Sequence, residues 1–111
     1  MGTIVRSFRV KASLKDVVRT LSKEESYSSV YVKVFEDARI AVLIGEKLFF
    51  RTGSWAGITL VIKESSPTSC VIDAIGFAGG RGLLNISWFS EESYIEELMN
   101  FLRKHYEVEE L

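Results

Sequence analysis

Residues 58–76 read ITLVIKESSPTSCVIDAIG, and the fold follows from how this stretch is read. Ile58, Leu60 and Ile62 alternate with Thr59, Val61 and Lys63. That two-residue period is the mark of a β-strand. Ser65-Ser66-Pro67-Thr68 then interrupts it with turn-forming residues. From Ser69 to Gly76 the alternation resumes, with Cys70, Ile72 and Ala74 opposing Val71, Asp73 and Ile75. Two strands joined by so short a turn pair antiparallel. Both are apolar on both sides, whereas a sheet with one wet face alternates apolar with polar. A cover is therefore expected over each face.

Working upstream, residues 39–44 form another strand. Gly45-Glu46 allows two outcomes: a two-residue hairpin, or a strand that bulges and runs on to Arg51. Thr52-Gly53-Ser54 opens a loop expected to contain Trp55 and Gly57. In residues 28–35, SSVYVKVF, Val30, Val32 and Val34 face one way, and Tyr31, Lys33 and Phe35 the other. Ser13 with Asp16 reads as a helix cap. Leu14, Val17, Val18 and Leu21 follow at helical spacing, backed by a basic stripe of Lys15, Arg19 and Lys23. Residues 3–10 alternate as a first strand.

Downstream, Gly76 to Gly82 holds four glycines in seven residues and reads as a tight loop. Residues 83–88 are assigned to a strand. Ser90 caps a last helix with Glu91 and Glu92 in its first turn, and Phe89 and Tyr94 as a hydrophobic staple. Ile95, Leu98, Met99 and Leu102 make its buried stripe, and residues 107–111 a frayed acidic tail. The chain is thus expected to be a single α+β domain, 1–111. Its antiparallel β-sheet carries two helices on one face in the order β-α-β-β-β-β-(β)-α. This order resembles the TATA-binding-protein-like and helix-grip architectures, and implies no activity by itself.

Composition narrows the function classes. With 111 residues, 47% hydrophobic and 26% charged, the chain suits one globular domain. It has no apolar run long enough to span a membrane and opens on no secretory signal, so a cytoplasmic setting is expected. The lone Cys70 rules out an internal disulfide. Residues 1–55 hold 10 Lys and Arg against 6 Asp and Glu, and residues 56–111 hold 4 against 9. That asymmetry excludes a uniformly basic nucleic-acid binder and permits electrostatic contact between copies. Absent Gln and only two Asn, beside abundant Lys, Arg and Glu, point to a thermophilic source.

Chemistry-bearing residues are sparse. The run Gly76-Phe77-Ala78-Gly79-Gly80-Arg81-Gly82 has the strand and the cation of an anion cradle. It lacks a P-loop's Lys-Ser/Thr and the dinucleotide spacing. Asp73, between apolar neighbours, needs a partner such as Arg51 or Arg81, or an opening to solvent. His105, the only histidine, sits in the closing helical turn where the dipole favours it. One His and one Cys do not make a metal shell. No catalytic residue, metal or cofactor is assigned. The candidate ligand-binding residues are Asp73, Gly79, Gly80, Arg81, Tyr31 and Arg51.

Val34-Phe35-Glu36, Gly79-Gly80, the apolar segment 83–88, Glu91-Glu92 and a closing helix from Tyr94 onward resemble a small, uncharacterised prokaryotic family. The resemblance covers about two thirds of the chain and implies no activity or catalytic residue. The expectation is a non-enzymatic homo-oligomer, with copies covering the second sheet face. A small apolar ligand of helix-grip type, anchored by Asp73 or Tyr31, is the alternative. Nucleic acid on Lys33, Arg51, Arg9 and the stripe Lys15, Arg19, Lys23 ranks last.

Overall fold

Strict side-chain alternation in the central hairpin sets the architecture. The computed structural model describes residues 2–25, 27–49, 54–79 and 90–111. The elements are β1 (Gly2–Val10), α1 (Leu14–Ser22), β2 (Ser29–Phe35), β3 (Ile40–Phe49), β4 (Ser54–Ser66), β5 (Ser69–Gly79), α2 (Ser90–Arg103) and β6 (Val108–Glu110). The strands form a six-stranded sheet ordered β2-β3-β4-β5-β1-β6, with every neighbouring pair antiparallel.

Both helices pack on one sheet face. Ala41 and Leu43, Ala56 to Ile62 at every second residue, Cys70, Ile72 and Ala74, and Phe8 and Val10 point into a single buried cluster. The α1 residues Leu14, Val17 and Leu21 close it, together with Tyr94, Ile95, Leu98, Met99 and Leu102 of α2. These match the apolar stripes read from the sequence. The cap is as expected too: Ser13 Oγ accepts from the Asp16 amide at 3.1 Å. Burial pushes the Cys70 thiol up to about 11, and its Sγ donates to the Ala12 carbonyl, so it is an inert core group.

Several elements differ from the sequence reading. β3 neither turns nor bulges at Gly45; it continues to Phe49 in unbroken register with β4. A Cβ at Gly45 would fall 2.9 Å from the Tyr27 ring and 3.2 Å from the Tyr94 hydroxyl. The glycine therefore serves close packing of half-buried Tyr27 and buried Tyr94, not a turn. β4 starts at Ser54, so Trp55 and Gly57 are strand residues, not loop residues. β5 likewise runs through Gly76 to Gly79, which places the first half of the glycine run in the sheet. Gly80, Arg81, Arg51, Phe89 and the strand assigned to 83–88 lie outside the described residues. α2 ends at Arg103, leaving exposed His105 in the following turn with its ring edge-on to Phe101.

The tail is not frayed. Val108–Glu110 pairs with β1, and the amides of Lys11 and Leu111 donate to Glu107 and Ser7 carbonyls at 3.0 and 2.9 Å. Opposite charges run along this seam: Arg6 with Glu110 and Glu96, Arg9 with Glu109, Lys11 with Glu107. An acidic tail reads as solvated in isolation; the basic strand it meets is about a hundred residues away in sequence. The β2–β3 turn is also braced. Arg39 adopts a positive φ of 56°, which costs an L-residue about 1 kcal/mol. Glu64 offsets it twice, donating its amide to the Arg39 carbonyl and accepting from the guanidinium at 2.8 Å.

Leu98→Ala removes a fully buried side chain and should cost about 2–5 kcal/mol in denaturant unfolding. Hydrogen bonding to Arg6 holds the Glu110 carboxyl below its ordinary value of 4.5. A depressed folded-state pKa gives stability that is present above the unfolded value and lost as pH falls through the folded one. Thermal melts of Glu110→Gln should therefore lie below wild type at neutral pH and converge with it in acid.

Candidate functional site

Because residues alternate, the side chains left over from the core form the second face of the same sheet. Register places them in cross-strand rows. One row holds Phe35, Ile40, Lys63, Val71 and Arg9; the next holds Lys33, Val42, Val61, Asp73 and Ser7. The central row is Tyr31, Ile44, Thr59, Ile75 and Val5. Ser29, Glu46, Gly57, Phe77 and Thr3 follow, then Leu48 and Trp55.

This face is open in the chain and largely apolar. Val5 is 61% exposed, Tyr31 58%, Phe35 48%, Ile44 46%, and Trp55 and Phe77 42% each. Side chains of this size are ordinarily scattered singly over a monomer surface. Here they share one face of one sheet. At one end they surround a shallow dish of about 420 Å³ formed by Tyr31, Ile44, Glu46, Trp55, Gly57 and Phe77. The Phe77 ring lies across Gly57 so closely that a Cβ at Gly57 would collide with it, so the ring covers the glycine at the base of the dish. An aromatic laid over a cross-strand glycine is a known way to stabilise a sheet at a residue without a side chain. Glu46 sits on the rim, where its carboxylate accepts from Ser29 Oγ at 3.0 Å.

Cations collect at the other end of the face. Lys33 and Lys63 are exposed there, Lys33 with its ammonium 5.7 Å from the Phe35 ring centre. Arg9 is opposed by Glu109 at 3.2 Å. The basic stripe is exposed in the other layer, Lys15 and Arg19 on α1 and Lys23 at its C-cap. The nucleic-acid set read from the sequence is therefore divided between two sides of the molecule.

Of the candidate ligand residues, Tyr31 lines the dish and Asp73 shares the open face. Asp73 is exposed and accepts from Ser7 Oγ at 2.7 Å, so its partner is a neighbouring-strand hydroxyl. Three strand spacings separate Tyr31 from Asp73, about 14 Å, so they do not form one site. Gly79 pairs with Trp55 through the backbone. Arg51, Gly80 and Arg81 fall outside the described residues. Trp55, Phe77, Ile44 and Glu46 were missed as site residues. The signal was present: Trp55, Gly57, Thr59 and Val61 continue the period-two alternation of β4 backward through the glycine.

Among the described residues no group of three His, Cys, Asp or Glu is placed to hold a metal ion, and no helix is long and apolar enough to cross a membrane. Fold and surface define a two-layer α+β domain: an antiparallel sheet with helices on one side and an apolar face on the other. The chain belongs to a family of unknown function (DUF6054), which it matches over residues 5–106. A comparison with curated proteins gives no match. Among solved structures it is similar to the protein XoxI from Bacillus cereus, at 13% identity, 93% coverage of this chain, 92% of that chain and a TM-score of 0.48.

The glycine–aromatic stack gives a direct test. Gly57→Ala should destabilise by about 1–3 kcal/mol, because the new methyl must displace the Phe77 ring. In a Phe77→Ala background the same change should be close to neutral. A double-mutant cycle by chemical denaturation measures the coupling; equal costs in both backgrounds would show that the stack contributes nothing.

Proposed function

We propose that this protein is a non-enzymatic, self-associating module whose copies meet through the open sheet face. The observation that carries this reading is the concentration of six large apolar side chains, each more than two fifths exposed, on one side of one sheet. Burying such a face is favourable at about 25 cal/mol per Å² of apolar surface. A domain of 111 residues gains from it, since small cores supply modest stability. The charge pattern agrees, because Lys33, Lys63 and Arg9 share the face with Glu46, Asp73 and Glu109. That mixture suits a protein partner better than a phosphate backbone. A lone Cys and the apolar composition fit a reduced, cytoplasmic protein.

The dish supports a second reading, a small apolar ligand seated against the Phe77 ring between Tyr31, Ile44 and Trp55. It differs from the helix-grip expectation in place, since the α2 stripe is fully buried against the sheet.

Size-exclusion chromatography with light scattering should give a dimer or larger assembly at micromolar concentration. Ile44→Asp on the open face should shift it to monomer while leaving the fold intact. A clean wild-type monomer sinks the self-association reading, and native mass spectrometry of the same sample detects a retained ligand.

A further inference from the structure

We propose that the sheet continues across two copies of the chain. β2 of one copy pairs antiparallel with β2 of a second, about a two-fold axis that passes through Val32 and stands normal to the sheet. This contact uses the edge of the sheet and leaves the open face free. It goes beyond the self-association reading and stands or falls separately from it.

The two edges of the sheet are built differently. β6 is three residues long, and two of them are glutamates. Short, charged edge strands of this kind resist pairing with another chain. β2, at the opposite edge, has seven residues, no proline and a single charge at Lys33. A strand of that length with one side unpaired is a template for a further strand.

Two bonds at the ends of β3 show which backbone groups of β2 are unpaired. The Glu46 carbonyl accepts from the Ser28 amide at 2.8 Å, so Glu46 directs its backbone groups toward β2. The Arg39 carbonyl accepts from the Glu64 amide at 3.0 Å and so points toward β4, which turns the next residue, Ile40, toward β2. Bonded and non-bonded pairs alternate along an antiparallel ladder. Ile40, Val42, Ile44 and Glu46 therefore bond with Phe35, Lys33, Tyr31 and Ser29. Val30, Val32 and Val34 keep their amides and carbonyls directed outward, and among the described residues nothing pairs with them.

That phase selects the register. A two-fold contact repeats each pairing, so residue i meets j and j meets i. Centred on Val32, the axis pairs Val32 with itself and Val30 with Val34, and all three outward valines of both copies bond. Any other centre leaves at least one outward valine of each copy unbonded. A centre on Lys33 would also set two lysines directly opposite, which is unfavourable. With the axis on Val32, each Lys33 instead faces Tyr31 of the other copy, and an aromatic ring suits an ammonium.

The side chains agree with this register. Val30 and Val34 are 42% and 40% exposed, on the sheet face where α1 packs over β3, β4 and β5. Pairing gathers the valines of both copies into one apolar strip, and such cross-strand pairs are stabilising. A lone strand pair buries less than the roughly 1,200 Å² at which stable interfaces begin. The contact is therefore weak by itself, and Ile44→Asp protein remains monomeric at micromolar concentration. Where open faces also meet, edge pairing extends the dimer into a larger assembly.

Disulfide trapping in the full chain reads the register directly. Tyr31→Cys and Lys33→Cys are made separately in the Ile44→Asp background, which removes the open-face contact. Opposed residues of a non-bonded pair have Cα atoms about 4.5 Å apart, within the span of a disulfide. Like positions lie about 7–8 Å apart, beyond that span. Mild oxidation at high protein concentration should crosslink the two variants when mixed and neither alone, with buried Cys70 inert. Val32→Pro removes an outward amide without touching the β2–β3 ladder. It should abolish the crosslink while circular dichroism stays unchanged. Self-crosslinking of Tyr31→Cys would move the axis to Tyr31 and overturn the register, and self-crosslinking of Lys33→Cys would do so for Lys33. A mixture that gives no crosslink, or one that survives Val32→Pro, overturns edge pairing. If wild type assembles in light scattering and the mixture gives no crosslink, the open-face reading stands and this one is removed. A monomeric wild type with a crosslinked mixture does the reverse.

Discussion

Pairing of β4 with β5 is the constraint from which the rest of this structure follows. From Trp55 to Glu64 the two strands stay in one register, so every second side chain is committed to the same face. Ala56, Ile58, Leu60 and Ile62 with Cys70, Ile72 and Ala74 become a continuous apolar floor for both helices. The intervening residues go to the opposite face by the same geometry. A slip of one residue would exchange the two sets. Such a slip would place Asp73 and Lys63 under the helices, where an unpaired charge is costly.

The same pairing explains the dish and the seam. Extending β4 back to Ser54 and β5 on to Gly79 sets Gly57 beside Phe77, and the ring occupies the space the glycine leaves. On the other side, β5 pairs with β1, whose outer edge would present unpaired amides. β6 covers that edge in part, held by backbone bonds and by Arg6, Arg9 and Lys11 against Glu110, Glu109 and Glu107. Positive charge early in the chain and negative charge late in it thus meet within one molecule, and the formal balance of −1 hides an internal pairing.

Helices and strands with a clear period were legible from residues alone. Ser13 with its apolar stripe, the alternation of Val30, Val32 and Val34 and the two-sided apolarity of residues 58–76 all survive into the structure, because the period depends on local spacing; Val30 and Val34 nevertheless stay exposed on the outermost strand β2. Glycine was the recurrent source of error. Gly57 and Gly79 read as loop residues and Gly45 as a turn or a bulge in a strand running on, yet each sits in a regular strand. At Gly45 and Gly57 the reason is an aromatic ring from elsewhere in the chain, and no local signal carries that information.

The amino-acid sequence by itself determined that this is an α+β domain with two amphipathic helices and a sheet apolar on both faces. Those properties follow from side-chain spacing and composition. Only the tertiary structure decided which aromatics share the open face, that three strand spacings separate Tyr31 from Asp73, and that the acidic tail is a strand. These depend on contacts between residues distant in the chain, and such contacts exist only once the register between strands has been set.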